Sequence, residues 1–188
     1  MDRLGVINRA LMKTGLPLAA SENDCDWNAA SIFEDVACEL LRSHPWGFAT
    51  RGATLSREAE PGQGYNYSYK LPDDCLRAID VRSQHDSRAP KGRFAIEGRR
   101  LLTNLYPANV RYVKKILDPG EWPLDFANAV AARLAVEIAA LSAESMNIVP
   151  QLTQLAQVAY AQAQLSDARE STERVRLPEQ LTREGRGE

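Results

Sequence analysis

Residues 42–55, RSHPWGFATRGATL, force a change of architecture within a short stretch of chain. Before them, apolar residues recur every three or four positions. After them, the spacing falls to two. Pro45 lacks the amide hydrogen that a continuing helix needs, and Gly47 lets the backbone turn between Trp46 and Phe48, two side chains that would otherwise collide. Pro45, Trp46, Gly47 and Phe48 are therefore read as a structural junction, with the two aromatics plugging the joint between helices and sheet.

On the N-terminal side, Leu4, Ile7, Ala10 and Leu11 stand at helical spacing and stop at Gly15, with Pro17 just beyond. A second helix follows the polar cluster Ser21, Glu22, Asn23 and Asp24, whose side chains suit capping. It buries Ala29, Phe33, Val36, Ala37 and Leu40 on one stripe. Downstream, alternation predicts strands over 48–55, 65–71, 76–81, 94–96, 101–103 and 110–115, with Gly98 as a tight hairpin turn and with exposed loops over 61–64 and 83–92. Helical spacing returns after Trp122, with Pro123 suited to the first helical position and Phe126, Val130, Leu134, Ile138 and Leu141 on one face. Alanines fill most of that helix and permit a close neighbour. Asn147 is expected to cap a fourth helix, which tolerates Pro150 in its first turn and extends through spaced charges to about Arg174. The final dozen residues are too polar to fold alone.

The expected fold is mainly α with a β insertion (α+β). An antiparallel helical bundle from 1–44 and 122–168 carries a small antiparallel sheet over 45–121 and ends in an extended C-terminal arm, 169–188.

Charge and composition narrow the chemistry. At 188 residues the chain can bury a sizeable core without staples. The longest apolar-rich run, 126–141, is interrupted by Arg133 and Glu137 and falls short of the ~20 residues a bilayer crossing needs. The first residues lack the basic-then-apolar pattern of a secretory signal, so residence in a cytoplasm is expected. Net charge is −2, against a stand-alone nucleic-acid binder. The charge is uneven, however, for residues 44–122 hold 13 Lys and Arg against 9 Asp and Glu. Cys25, Cys38 and Cys75 lack the paired short spacings of a metal site and read as free thiols.

The most tempting catalytic pattern is Pro72, Asp73 and Asp74 followed by Glu97, Gly98 and Arg99. Two carboxylates near a strand suit a magnesium-dependent nuclease. Arginine stands where that pattern needs lysine, though, and Glu97 adjoins the hairpin glycine. A turn fixed by Pro72 and capped by the aspartates explains the same residues. His44 and His85 have no Ser or Cys nucleophile at a recognisable spacing, and His44 suits the negative end of a helix dipole. No glycine-rich stretch carries the lysine and following helix of a phosphate cradle. Tyr65, Tyr67 and Tyr69 share one strand face, for packing or for base stacking. Arg111, Lys114 and Lys115 either face nucleic acid or guard a strand edge. No catalytic, cofactor-binding or metal-binding residue is assigned.

The ordered series of two N-terminal helices, the Pro45-Trp46-Gly47-Phe48 corner, the Leu71-Pro72-Asp73-Asp74 turn, a hairpin-rich insertion, Trp122-Pro123 and two long helices resembles the bacteriophage head-to-tail adaptor family of the tail tubular protein A type. The resemblance spans roughly residues 4–168 and rests on order rather than on any single motif. It implies a non-enzymatic virion subunit, found at the head-tail interface and assembled in the host cytoplasm. Such subunits form a homo-oligomeric ring, commonly dodecameric, that joins the portal protein to the distal tail or nozzle protein, in some cases with tail fibres attached. The resemblance further implies that the arm, with Arg169, Arg174, Arg176 and Leu177, reaches the portal. It also implies that Arg111, Lys114 and Lys115 line a lumen that passes DNA by weak, non-specific contacts. No membrane and no cofactor enter this reading. A helical protein-interaction module and the metal-dependent nuclease are the alternatives.

Overall fold

A computed structural model describes residues 1–21, 29–58, 64–83, 91–141 and 145–173. The expected cap residues Glu22, Asn23 and Asp24, Cys25, most of both long loops and the arm beyond residue 173 lie outside the described residues.

Helix α1 (Arg3–Thr14) starts where the Asp2 carboxylate accepts the Gly5 N–H at 2.8 Å, and it ends at Gly15, whose φ of 77° is costly for any residue with a Cβ. Asn8 then grips the returning chain, donating to the Ala19 carbonyl and accepting the Ala19 N–H. Helix α2 (Ala29–Ser43) buries Phe33, Val36, Ala37 and Leu40, as its periodicity predicts. Helix α3 (Leu124–Leu141) buries Phe126, Val130, Leu134 and Ile138 together with six alanines. A helix apolar on most of its circumference belongs in the middle, and α3 is the element against which α1, α2 and α4 (Val149–Glu173) all pack. Pro150 sits in the first turn of α4, but Asn147 lies inside a preceding 3₁₀ turn (Met146–Ile148) and not at the helix cap.

Among the described residues, six antiparallel strands occupy the predicted stretches: β1 (Thr50–Thr54), β2 (Tyr67–Lys70), β3 (Cys75–Ser83), β4 (Phe94–Glu97), β5 (Arg100–Thr103) and β6 (Ala108–Lys114). They form two three-stranded sheets rather than one. The first has the order β1-β6-β3 and the second β2-β5-β4. Gly98, at φ 59°, makes the predicted tight turn between β4 and β5, which is two residues long.

The expectation of a helical bundle bearing an insertion is overturned. The fold is mixed α+β, about 48% helix and 23% strand, with four helices and two small sheets among the described residues. The sheet is not an appendage of a helical core. Ala49, Val113 and Ile116 are buried in the same cluster as Phe33, Leu41, Trp46, Phe126 and Leu134, with Leu76 and Ile79 packed against it. A second cluster, with Leu55, Tyr69, Leu71, Val81, Leu101, Val110 and Tyr112, joins the two sheets. The first sheet thus lends one end to the helices and one face to its partner sheet.

Candidate functional site

The corner after α2 is a packed joint. Trp46 is 1% exposed, and its ring lies 5.0 Å from Phe126, 5.9 Å from Tyr160 and 6.3 Å from Phe48, mostly edge to face. Its indole N–H donates to the Leu40 carbonyl at 2.8 Å, so the polar edge of the ring is satisfied. Asp167 of α4 closes the joint from outside: one carboxylate oxygen accepts the Gly47 N–H at 2.7 Å, the other lies 3.1 Å from His44 Nε2. Two turns earlier on α4, Tyr160 OH meets Ser43 Oγ at 2.8 Å. His44 therefore stands at the end of α2 with a carboxylate partner, and the corner is held by α4.

The turn at Pro72 and Asp73 is where the two sheets are tied. Leu71 donates its N–H to the Arg99 carbonyl, while the Arg99 guanidinium returns to the carbonyls of Pro72 and Cys75. Asp73 is exposed and pairs with Lys70 at 3.3 Å; Asp74 accepts the Tyr112 hydroxyl at 3.1 Å. Neither aspartate is seen capping the turn with its side chain. Arg99 places a fixed positive charge where a metal-binding reading would want a cation, and Glu97 is exposed at the end of β4. Among the described residues no three His, Cys, Asp or Glu side chains gather as a metal site requires.

Burial raises the pKa of the Cys38 and Cys75 thiols, so both stay protonated small hydrophobes near neutral pH. Tyr69 is buried, and its hydroxyl donates to the Leu105 carbonyl at 2.7 Å, which settles it as a packing residue. Tyr67 stacks 5.3 Å from Tyr106 with the Arg57 guanidinium 5.0 Å over its ring.

The three basic residues assigned to a lumen do not form one patch. Strand alternation sends Arg111 and Lys114 to opposite faces of β6. Lys115 Nζ lies 4.0 Å from Glu34 on α2. Arg111 instead joins a group that the sequence alone did not single out. Asp80 on β3 is 3% exposed, with Arg82, Lys91 and Arg111 at 3.6, 3.7 and 3.6 Å. An aspartate between Ile79 and Val81, in the apolar middle of β3, was the available signal.

Arg169 is exposed near the end of α4; Arg174, Arg176 and Leu177 lie outside the described residues. Helix α4 uses one flank for the core, through Leu152, Ala156 and Ala163. On another flank Leu155, Val158 and Leu165 are 42%, 59% and 61% exposed. Beside α4, a cleft of about 450 Å³ opens between α2, α3 and α4, floored by Leu40, Ala129, Val136 and Ala156 and edged by Arg133 with Glu39.

Compared with protein-family models and with curated proteins, the chain matches none.

Proposed function

We propose that this chain is a ring-forming subunit of a bacteriophage head-to-tail adaptor, a structural protein without catalytic activity that sits between the portal and the distal tail. One observation carries the reading beyond the order of elements: the outer flank of α4. Leu155, Val158, Gln162 and Leu165 follow a three-four-three spacing, the seam a helix presents to another helix. Three of the four are large apolar side chains left in water, on a helix whose other flank already satisfies the core. Identical copies repeating a heterologous contact around an axis close a ring if the rotation fits. Gln162 and the flanking Gln154 and Gln157 keep the same surface compatible with a soluble monomer before assembly. The arm beyond α4 is the portal-reaching segment in this reading, and transient DNA passes through the lumen.

Sedimentation velocity of the purified protein, alone and with portal rings, tests it. The expected result is a ring, or recruitment onto the portal, that is lost in a Leu155→Glu, Val158→Glu double variant whose circular dichroism is unchanged. A strict monomer that ignores portal rings overturns the reading. A monomer that instead binds a single unrelated protein sharply would favour an interaction module.

A further inference from the structure

From Ser145 to Ser166 the sequence carries no Asp, Glu, Lys, Arg or His, in a chain that is 26% charged. Most of that stretch is α4, and much of it is exposed. A helix surface that stays in water ordinarily carries charge, whereas the centre of a contact between proteins is depleted of it. At 3.6 residues per turn, two features fall on opposite sides of α4, about 170° apart. On one side run Leu155, Val158, Gln162 and Leu165. On the other, Thr153, Ala156, Gln157 and Tyr160 form a wall of the cleft between α2, α3 and α4. The inward flank, with Leu152 and Ala163, lies between them.

The cleft, about 450 Å³, has an uncharged floor of Leu40, Ala129, Val136 and Ala156. Its rim is largely spent on itself. Arg133 pairs with Glu39 at 3.4 Å and also with Glu137. The Tyr160 hydroxyl is shared with Ser43 and Gln164, and the Thr153 hydroxyl donates to the Val149 carbonyl. A neutral floor inside a self-paired rim favours an uncharged, apolar occupant, because a charged one would lose its hydration without gaining a partner. The chain's own residues 174–188 fit that description poorly, being rich in Arg and Glu. The uncharged seam of α4 fits it well.

We infer that the cleft is the socket into which a neighbouring copy of this chain inserts the Leu155, Val158 and Leu165 seam of its α4. The inference rests on the ring reading above and names the other half of the contact. A two-fold contact would set seam against seam and leave the cleft in water. A seam and a socket on opposite sides of one helix instead let each copy give to one neighbour and receive from the other, which is a heterologous contact. The two also overlap in height along α4, residues 155–165 against 153–160, so a copy turned about an axis nearly parallel to α4 meets its neighbour with little rise. Little rise favours a closed ring over an open helical filament. Ala129 and Ala156 in the floor let the incoming helix approach closely, and its leucines and valine leave water without any charge being desolvated.

Sedimentation velocity and native mass spectrometry of the full chain test the socket. Gln157→Trp and Thr153→Trp each fill the cleft from an exposed position on its wall. Each should abolish ring formation, or recruitment onto portal rings, as the Leu155→Glu, Val158→Glu variant does, with circular dichroism unchanged. Ala161→Trp, on the outward ridge between seam and socket, should assemble like the wild-type chain. A mixture gives the sharper result. The seam variant keeps its socket and Gln157→Trp keeps its seam, so together they should form a one-to-one pair and stop there. Normal assembly of both cleft variants, or no pair in the mixture, overturns the socket and leaves the ring reading standing. A wild-type chain that neither forms rings nor joins the portal defeats the ring reading, and the socket falls with it. A peptide of residues 174–188 that dissolves the pair would put the arm in the cleft, and a low-mass ligand retained in the native spectrum would make the cleft a small-molecule pocket; either overturns the inference.

Discussion

The helical core and the core between the sheets are built on different principles. Around α3, alanine sets the helix spacing, and large rings fill what is left: Phe33 and Trp122 stack at 5.7 Å, and Trp122, Phe126 and Trp46 pack edge to face. Between the sheets the two buried rings carry polar tips among aliphatic neighbours such as Leu71, Leu101 and Val110. Tyr69 and Tyr112 each spend a hydroxyl on a specific acceptor, and Ser68, Thr103 and Asp80 are buried close by in sequence or across strands. The helical core satisfies polar edges as well, the indoles of Trp46 and Trp122 donating to the Leu40 and Ile116 carbonyls, so the two differ in emphasis: volume weighs more around α3 and hydrogen bonding more between the sheets. Each should fail under a different kind of change.

The largest effect belongs on the helical side. Trp46→Ala removes a ring that touches the corner, α3 and α4, and should cost about 3–5 kcal/mol in urea unfolding. A loss under about 1 kcal/mol would mean that the joint is not the keystone of the helical half. The latch above it is worth less. Asp167→Ala leaves the Gly47 N–H without its acceptor and His44 without its carboxylate, and should cost about 1.5–3 kcal/mol. Asp167→Asn, which still accepts from Gly47, should recover part of that loss. If both variants fall equally, the His44 contact and not the Gly47 hydrogen bond holds α4 to the corner.

What the sequence disclosed follows the same division. Helices and strands were readable because a period of 3.6 or of 2 is a local property, and the terminators Gly15, Pro45 and Gly98 sit where the chain turns. Pairing is not local. β6 inserts between β1 and β3, and β5 between β2 and β4, and nothing in the alternation of one strand names its neighbours. One sheet was expected for that reason, and a helical bundle with it, since the burial of Val113 and Ile116 against α2 and α3 appears only after the strands are paired. Asp80 was hidden by the register shifts in β3, which break the period of two and hide the face on which its side chain falls. The outer flank of α4 was not legible: helical spacing puts Leu155 on one stripe with Leu152, Ala156 and Ala163, and only the packing of those three shows that Leu155, with Val158 and Leu165, faces outward.

The finest test separates the two cores by pH. Burial raises the pKa of Tyr69, with neighbouring Tyr106 and Tyr67 adding to it; burial, then hydrogen bonding to Asp74, raises that of Tyr112. Cys75, in the same core, is raised by burial, whereas Cys38 is the one such group on the helical side among the described residues. An acid that is harder to ionise folded than unfolded stabilises the fold fully below its unfolded pKa. That contribution is lost as pH rises through the folded value, because over this interval the folded chain binds more protons. Stability should therefore be level up to about pH 8.5, slip as the thiols begin to titrate, and fall more steeply above about pH 10, where free tyrosine ionises. Near neutrality a Tyr69→Phe, Tyr112→Phe double variant should be less stable by about 1 kcal/mol for each hydrogen bond lost. Above pH 10 it lacks the two buried phenols of that core, with only half-buried Tyr67 left at its margin, so the gap to the wild-type chain should narrow as pH rises. Thermal midpoints measured from pH 7 to 11 decide it: parallel curves for the two proteins would place the alkaline weakness outside the β core and undo the distinction between a core set by volume and one set by hydrogen bonds.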